Sequence, residues 1–207
     1  MSRSHPQRDG RSRSPETKTG VPRERSGERA QDRATPRTAS VDREDGWYKV
    51  FIPKFDTVNP DPLEDYKKRL HDGIFVENDP ANSKGDFYNV TGDLMMANGM
   101  PYATKRNHDV IHSRDFANMT QIGWIHEKDS GFSEVNSILI QVERPARQQG
   151  INFTVKDHTW NKVVWIEADG TPSPNNIPTR PVRKCNEWTQ DAAEALRKAG
   201  VLKSTKD

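Results

Sequence analysis

Cys185 is the only cysteine among 207 residues, and its surroundings are those in which a thiol can become a nucleophile. It stands at the start of the string KCNEWTQDAAEALRKAGVL, which has the periodicity of a helix. The first turn of a helix carries unpaired N–H groups and partial positive charge, which favour thiolate over thiol. Arg183 and Lys184 act in the same direction, and a backbone N–H there is suited to an oxyanion. The same residue also lies on an apolar stripe with Trp188, Ala192, Ala195, Leu196 and Ala199. A buried, chemically silent cysteine is therefore the competing reading.

A nucleophilic cysteine needs a base, and the base needs a group to orient it. In LHDGIFVE the alternation of residue types predicts a strand, with Leu70, Asp72, Ile74 and Val76 on one face and His71, Gly73 and Phe75 on the other. In FYNVTG, Phe87, Asn89 and Thr91 share a face of a further strand. Asn89 then meets His71 if the register of the pair allows it. A solvent-facing histidine beside a cross-strand polar neighbour is the plainer alternative.

A second cluster, HDVIHSRD, would bring His108, His112 and Asp115 to one side if it were helical, as a metal site requires. It lacks an apolar stripe and the glutamate of a zinc-protease motif, and no metal is expected. His126, after Trp124 and Ile125, and His158, near Trp160, are expected to be partly buried structural side chains. No glycine-rich phosphate loop is present, and aromatic residues are not interleaved with basic ones as a base-stacking platform needs. The sequence thus implies no cofactor and argues against nucleic acid as a partner. It leaves substrate and protein partners open.

The elements that must position these residues are short. GWYKVFIPKF alternates as a strand that Pro53 is expected to close, and the strings of His71 and Asn89 form an antiparallel hairpin with a long loop. Residues 95–119 show little periodicity. TQIGWIHE and VVWIE are further short strands. In SEVNSILIQVERPARQQG, Val135, Ile138, Leu139 and Val142 fit a helix ended by Pro145, while Ile138 to Val142 also fit a strand. The final helix is the clearest element: Glu187 and Asp191 lie early, Arg197 and Lys198 late, and Gly200-Val201-Leu202 has the form of a Schellman stop. The sum is an α+β domain over 46–207, an antiparallel sheet with a C-terminal helix packed on it.

Residues 1–45 contain no Ile, Leu, Phe, Trp or Tyr, so this segment cannot bury enough surface to offset its ordering entropy and is expected to form a disordered tail. It alternates arginine with acids, as in VPRERSGERAQDR, a solvated pattern rather than a basic patch. No apolar run approaches the roughly 20 residues of a membrane span, and no signal-peptide core is visible. The lone cysteine excludes an internal disulfide, and a cytoplasmic or nuclear location follows as an expectation.

With HDGIFVE, then YNVTG, then a helix-start cysteine in KCNEW, the chain resembles circularly permuted papain-like proteins of the lecithin:retinol acyltransferase and NlpC/P60 type. That resemblance implies Cys185 as nucleophile, His71 as base and Asn89 as orienter of a thiol-dependent hydrolase or acyltransferase acting on an amide, ester or isopeptide bond. Asp72 stands where many such proteins have an aromatic, and Lys184 where many have asparagine. TQIGWI and the Cys-x-Glu-Trp helix are also similar to strings in a group of fungal proteins with no assigned function. The alternative to an enzyme is a non-enzymatic intracellular interaction protein in which Cys185 is a buried structural residue.

Overall fold

A computed structural model describes residues 46–57, 63, 69–127, 133–153 and 163–206. The proposed tail, His158 and Trp160 lie outside the described residues. The fold is α+β. Strands β1 (Trp47–Phe55), β2 (His71–Asp72), β3 (Ile74–Asp79), β4 (Lys84–Val90), β5 (Tyr102–Asp109) and β6 (Phe116–His126) form one antiparallel sheet. Helix α1 (Ser133–Leu139), the small pair β7 (Gln149–Ile151) and β8 (Val163–Trp165), and helix α2 (Cys185–Lys198) complete it.

β2 and β3 are two pieces of one strand. Lys54 faces Asp72 and Phe51 faces Phe75 in the same register, which sets Gly73 opposite Pro53. Proline has no N–H to give, so the ladder breaks at that pair and resumes beyond it. Contrary to expectation, Pro53 does not close β1, which runs on to Phe55. With β6 along the other side of β1, the strand order is β6-β1-β2/β3-β4-β5.

The two edge strands, β5 and β6, follow each other in sequence. Residues 110–115 join them through two successive turns, Ser113 N–H to Val110 O at 3.1 Å and Phe116 N–H to Ser113 O at 3.0 Å. Two such turns cover at most about 14 Å, whereas a flat sheet would hold these edges about 19 Å apart. The sheet therefore curls. Its inner face carries a cluster of Phe55, Phe75, Phe87 and Val110, with Phe51 and Phe116 against it.

The opposite face carries Tyr48, Val50, Ile74, Val76, Tyr88 and Val90, and here α2 lays down Cys185, Trp188, Ala192, Ala193 and Leu196. The helix follows the predicted stripe except that Ala195 is half-buried and Ala199 exposed, while Thr189 and Ala193 are buried. Residues 133–139 are helical, with Val135 and Leu139 in the same core; the helix ends well before Pro145. Residues 95–119, which lack periodicity, hold β5 and the start of β6. Among the described residues, no helix is long and apolar enough to cross a membrane.

α2 stops as the sequence predicts. Gly200 has φ +72°, and the N–H groups of Val201 and Leu202 both reach Leu196 O, at 3.0 and 3.1 Å. Nothing crowds a Cβ at Gly200, so Gly200→Ala should cost only the left-handed strain, about 1 kcal/mol, read as a lower urea midpoint with an unchanged slope.

Candidate functional site

His71 and Asn89 meet. The β3–β4 register places Asn89 opposite Gly73 and one diagonal step from His71. Because Gly73 has no side chain, Asn89 can lean across it: a Cβ on Gly73 would lie 2.9 Å from Asn89 Cβ. Asn89 Nδ2 is thereby 2.9 Å from His71 Nε2. Burial, and then the Lys105 ammonium, push His71 down to about 4, so the ring is neutral near pH 7. A neutral ring accepting at Nε2 carries its proton on Nδ1. Asn89 is 2% exposed, and its Oδ1 is buried with no hydrogen-bond partner.

Cys185 is elsewhere. It is 8% exposed and belongs to the core beneath α2, whereas His71 points to the phenylalanine face with Phe55, its partner across the ladder. The residue that turns from β2 toward the start of α2 is Asp72. Its carboxylate accepts Asn186 Nδ2–H at 2.7 Å and Thr189 Oγ1–H at 3.0 Å, and Asn186 also donates to Leu70 O. Burial, then the Asp72 charge, push the Cys185 thiol up to about 11, against the opposing pull of N–H groups from Asp72 and Asn186. The expected help from Arg183 is spent on a neighbour, since Arg183 Nη2 donates to Asp191 Oδ2 at 2.5 Å, and the backbone N–H of Lys184 at the helix start donates to Glu187 Oε2 at 2.8 Å. Near neutral pH this cysteine is a thiol.

His71 and Asn89 instead form part of a cleft of about 160 Å3 on the curled inner face. Phe55 and Phe87 make its floor beside them. Its rim comes from β5 and the loop after it: Lys105, His108, Ser113, Arg114 and Asp115. Lys105 and His108 share this face although they are three residues apart, because β5 carries a bulge. Phe87 faces Lys105 and Gly85 faces His108, one residue out of step. Within the bulge Asn107 has φ +49° and gives its N–H to Asp86 Oδ1 at 3.2 Å, while Arg106 pairs with Asp86 and Tyr88. A period-two reading misses Lys105 and His108 for this reason.

The HDVIHSRD segment is not helical. His108 lies in β5 with Nε2 3.3 Å from Ser113 Oγ, and His112 turns to Asp109, its Nδ1 2.9 Å from Oδ1. Among the described residues, no three His, Cys, Asp or Glu side chains are grouped to hold a metal ion. His126 packs edge-on to Trp47 at 4.7 Å and is partly buried.

Fold and site together define a curled antiparallel sheet with a helix on its outer face and a polar-rimmed aromatic cleft on its inner one. Residues 59–203 match the model of DUF6540, a family of unknown function, and the chain belongs to that family. The matched span includes every residue of the cleft from His71 onward, and Cys185. No curated protein and no solved structure matches the chain.

Proposed function

We propose that this domain is a non-enzymatic binding protein, with the cleft around His71 and Asn89 as its recognition site and Cys185 as a structural core thiol. One observation carries the reading: the buried cysteine and the His71–Asn89 pair occupy opposite faces of the sheet. Acyl transfer of the permuted papain-like kind would need His71 Nδ1 or Nε2 within hydrogen-bond reach of the sulfur, so that the ring takes the thiol proton. Here the charged group that acts most strongly on the sulfur is Asp72, and its negative charge opposes the thiolate. The cleft, in contrast, has what small-molecule sites use: an aromatic floor, a few fixed polar groups and an open mouth.

Alkylation separates the two readings. Iodoacetamide at pH 7.5 should leave Cys185 of the native full-length protein unmodified over an hour and label it fully in urea, as read by intact mass. Rapid stoichiometric labelling of the native protein, slowed at least tenfold by His71→Ala, would restore the thiol enzyme.

A further inference from the structure

Resting on the binding reading, we infer that the cleft takes its ligand by a phosphoryl group, held by Lys105 of β5, Arg114 of the β5–β6 loop and the Thr57 hydroxyl just past β1. These three side chains line one cleft from three separate elements. Each is exposed and can donate, and none has a hydrogen-bond or ion-pair partner among the described residues. A planar carboxylate would offer them two oxygens, whereas a phosphoryl group offers three. Arginine and lysine are the side chains that serve phosphate best.

β5 is shaped to turn this charge inward. In a regular strand Lys105 and Asn107 would share a face, and His108 would turn away. The bulge holds Asn107 at φ +49° and sets His108 on the Lys105 side. Non-glycine residues held at such angles gather at ligand sites. Next to Lys105, Arg106 goes to Asp86 and Tyr88, so one of two adjacent cations is neutralised and the other is left for the cleft. The charge is felt inside: the Lys105 ammonium adds to burial in pushing down both His71 and His108. Asp109 opposes it at His108, and no carboxylate opposes it at His71. Asp115 also lines the cleft and offsets one of the two cations. A bound dianion therefore favours imidazolium beside it, and binding draws protons onto the two rings. Water screens the exposed cations, so the affinity is modest and falls with added salt.

The test follows histidine ring resonances of the labelled full-length protein, with phenyl phosphate, inorganic phosphate, benzoate and phenol as probes. Phenyl phosphate should shift His71 and His108 saturably and raise the titration midpoints of both rings. His126, which pairs with Trp47 at the far end of β1, should not move. Lys105→Gln with Arg114→Gln, both at exposed positions, should raise the Kd roughly tenfold, the sum of two exposed charge contacts. In the free protein Lys105→Gln alone should raise both ring midpoints, since the ammonium that opposes imidazolium is gone. Tighter binding of phenyl phosphate than of inorganic phosphate supports the inference with a monoester as ligand; equal binding supports it with free phosphate. Benzoate binding as tightly as phenyl phosphate, or a double variant that binds phenyl phosphate unchanged, overturns the phosphoryl assignment. Shifts at His126 equal to those in the cleft overturn it as well, because they mark a diffuse surface effect. If phenol alone moves His71 and His108, the ligand class falls while the cleft remains a binding site. If none of the four probes moves them, the inference and the binding site fall together.

Discussion

Gly73→Ala is expected to abolish both the His71–Asn89 pair and most of the domain's stability. The added Cβ would lie 2.4 Å from Tyr88 O, 2.7 Å from Phe87 Cε2 and 2.9 Å from Asn89 Cβ. The first of these is backbone of β4, held in register by Ile74 opposite Tyr88 and Phe75 opposite Phe87, so it cannot step aside alone. Relief requires parting β3 from β4 at the centre of the sheet, between two cores whose side chains are almost wholly buried. The cost should be on the order of 4 kcal/mol, among the larger single-residue effects. Gly200→Ala makes the comparison sharp, since it adds the same methyl group where nothing is within 4 Å. Urea unfolding of both variants checks this. A Gly73→Ala midpoint no lower than that of Gly200→Ala would mean that β3 and β4 are not held as tightly as the register implies.

The same glycine explains why part of the site is legible in the sequence. Strict alternation in HDGIFVE and FYNVTG puts His71, Gly73 and Asn89 on one face, and a hairpin register then brings the polar pair together across the missing side chain. What alternation cannot supply is which face the last helix covers. Both faces of these strands are apolar, Ile74, Val76 and Tyr88 on one and Phe75 and Phe87 on the other, so the stripe of α2 has two acceptable partners. The choice falls to the Ile74 face, where Asp72 accepts from Asn186 and Thr189 of α2. That choice parts Cys185 from His71. β5 is hidden for a different reason. It is largely exposed and polar, and the bulge at Asn107 resets its face halfway along. Its rim residues Lys105 and His108 therefore leave no periodic trace.

Acid should weaken this fold through His71 as pH falls below 6.5. The folded value near 4 lies below the ordinary 6.5, so the native state disfavours the imidazolium. Above pH 6.5 the ring is neutral in both states, and its contribution is present in full. As pH falls from 6.5 toward 4 the unfolded chain takes up a proton that the native state refuses, and up to about 3 kcal/mol is lost. Asp72 works the other way. Burial raises it, so the native state favours its neutral form, a contribution complete below its unfolded value of 3.8 and lost as pH rises through its folded value. The two side chains are adjacent in sequence and face opposite sides of the sheet, and their pH dependences oppose each other. His71→Phe should keep the ring on Phe55 and flatten the loss between pH 6.5 and 4, whereas Asp72→Asn should leave the His71 loss and remove the partial recovery at lower pH. Urea unfolding across pH 3 to 8 reads both. If His71→Phe retains the wild-type slope between pH 6.5 and 4, the acid sensitivity comes from other groups and the His71–Asn89 pair is not a neutral, buried one.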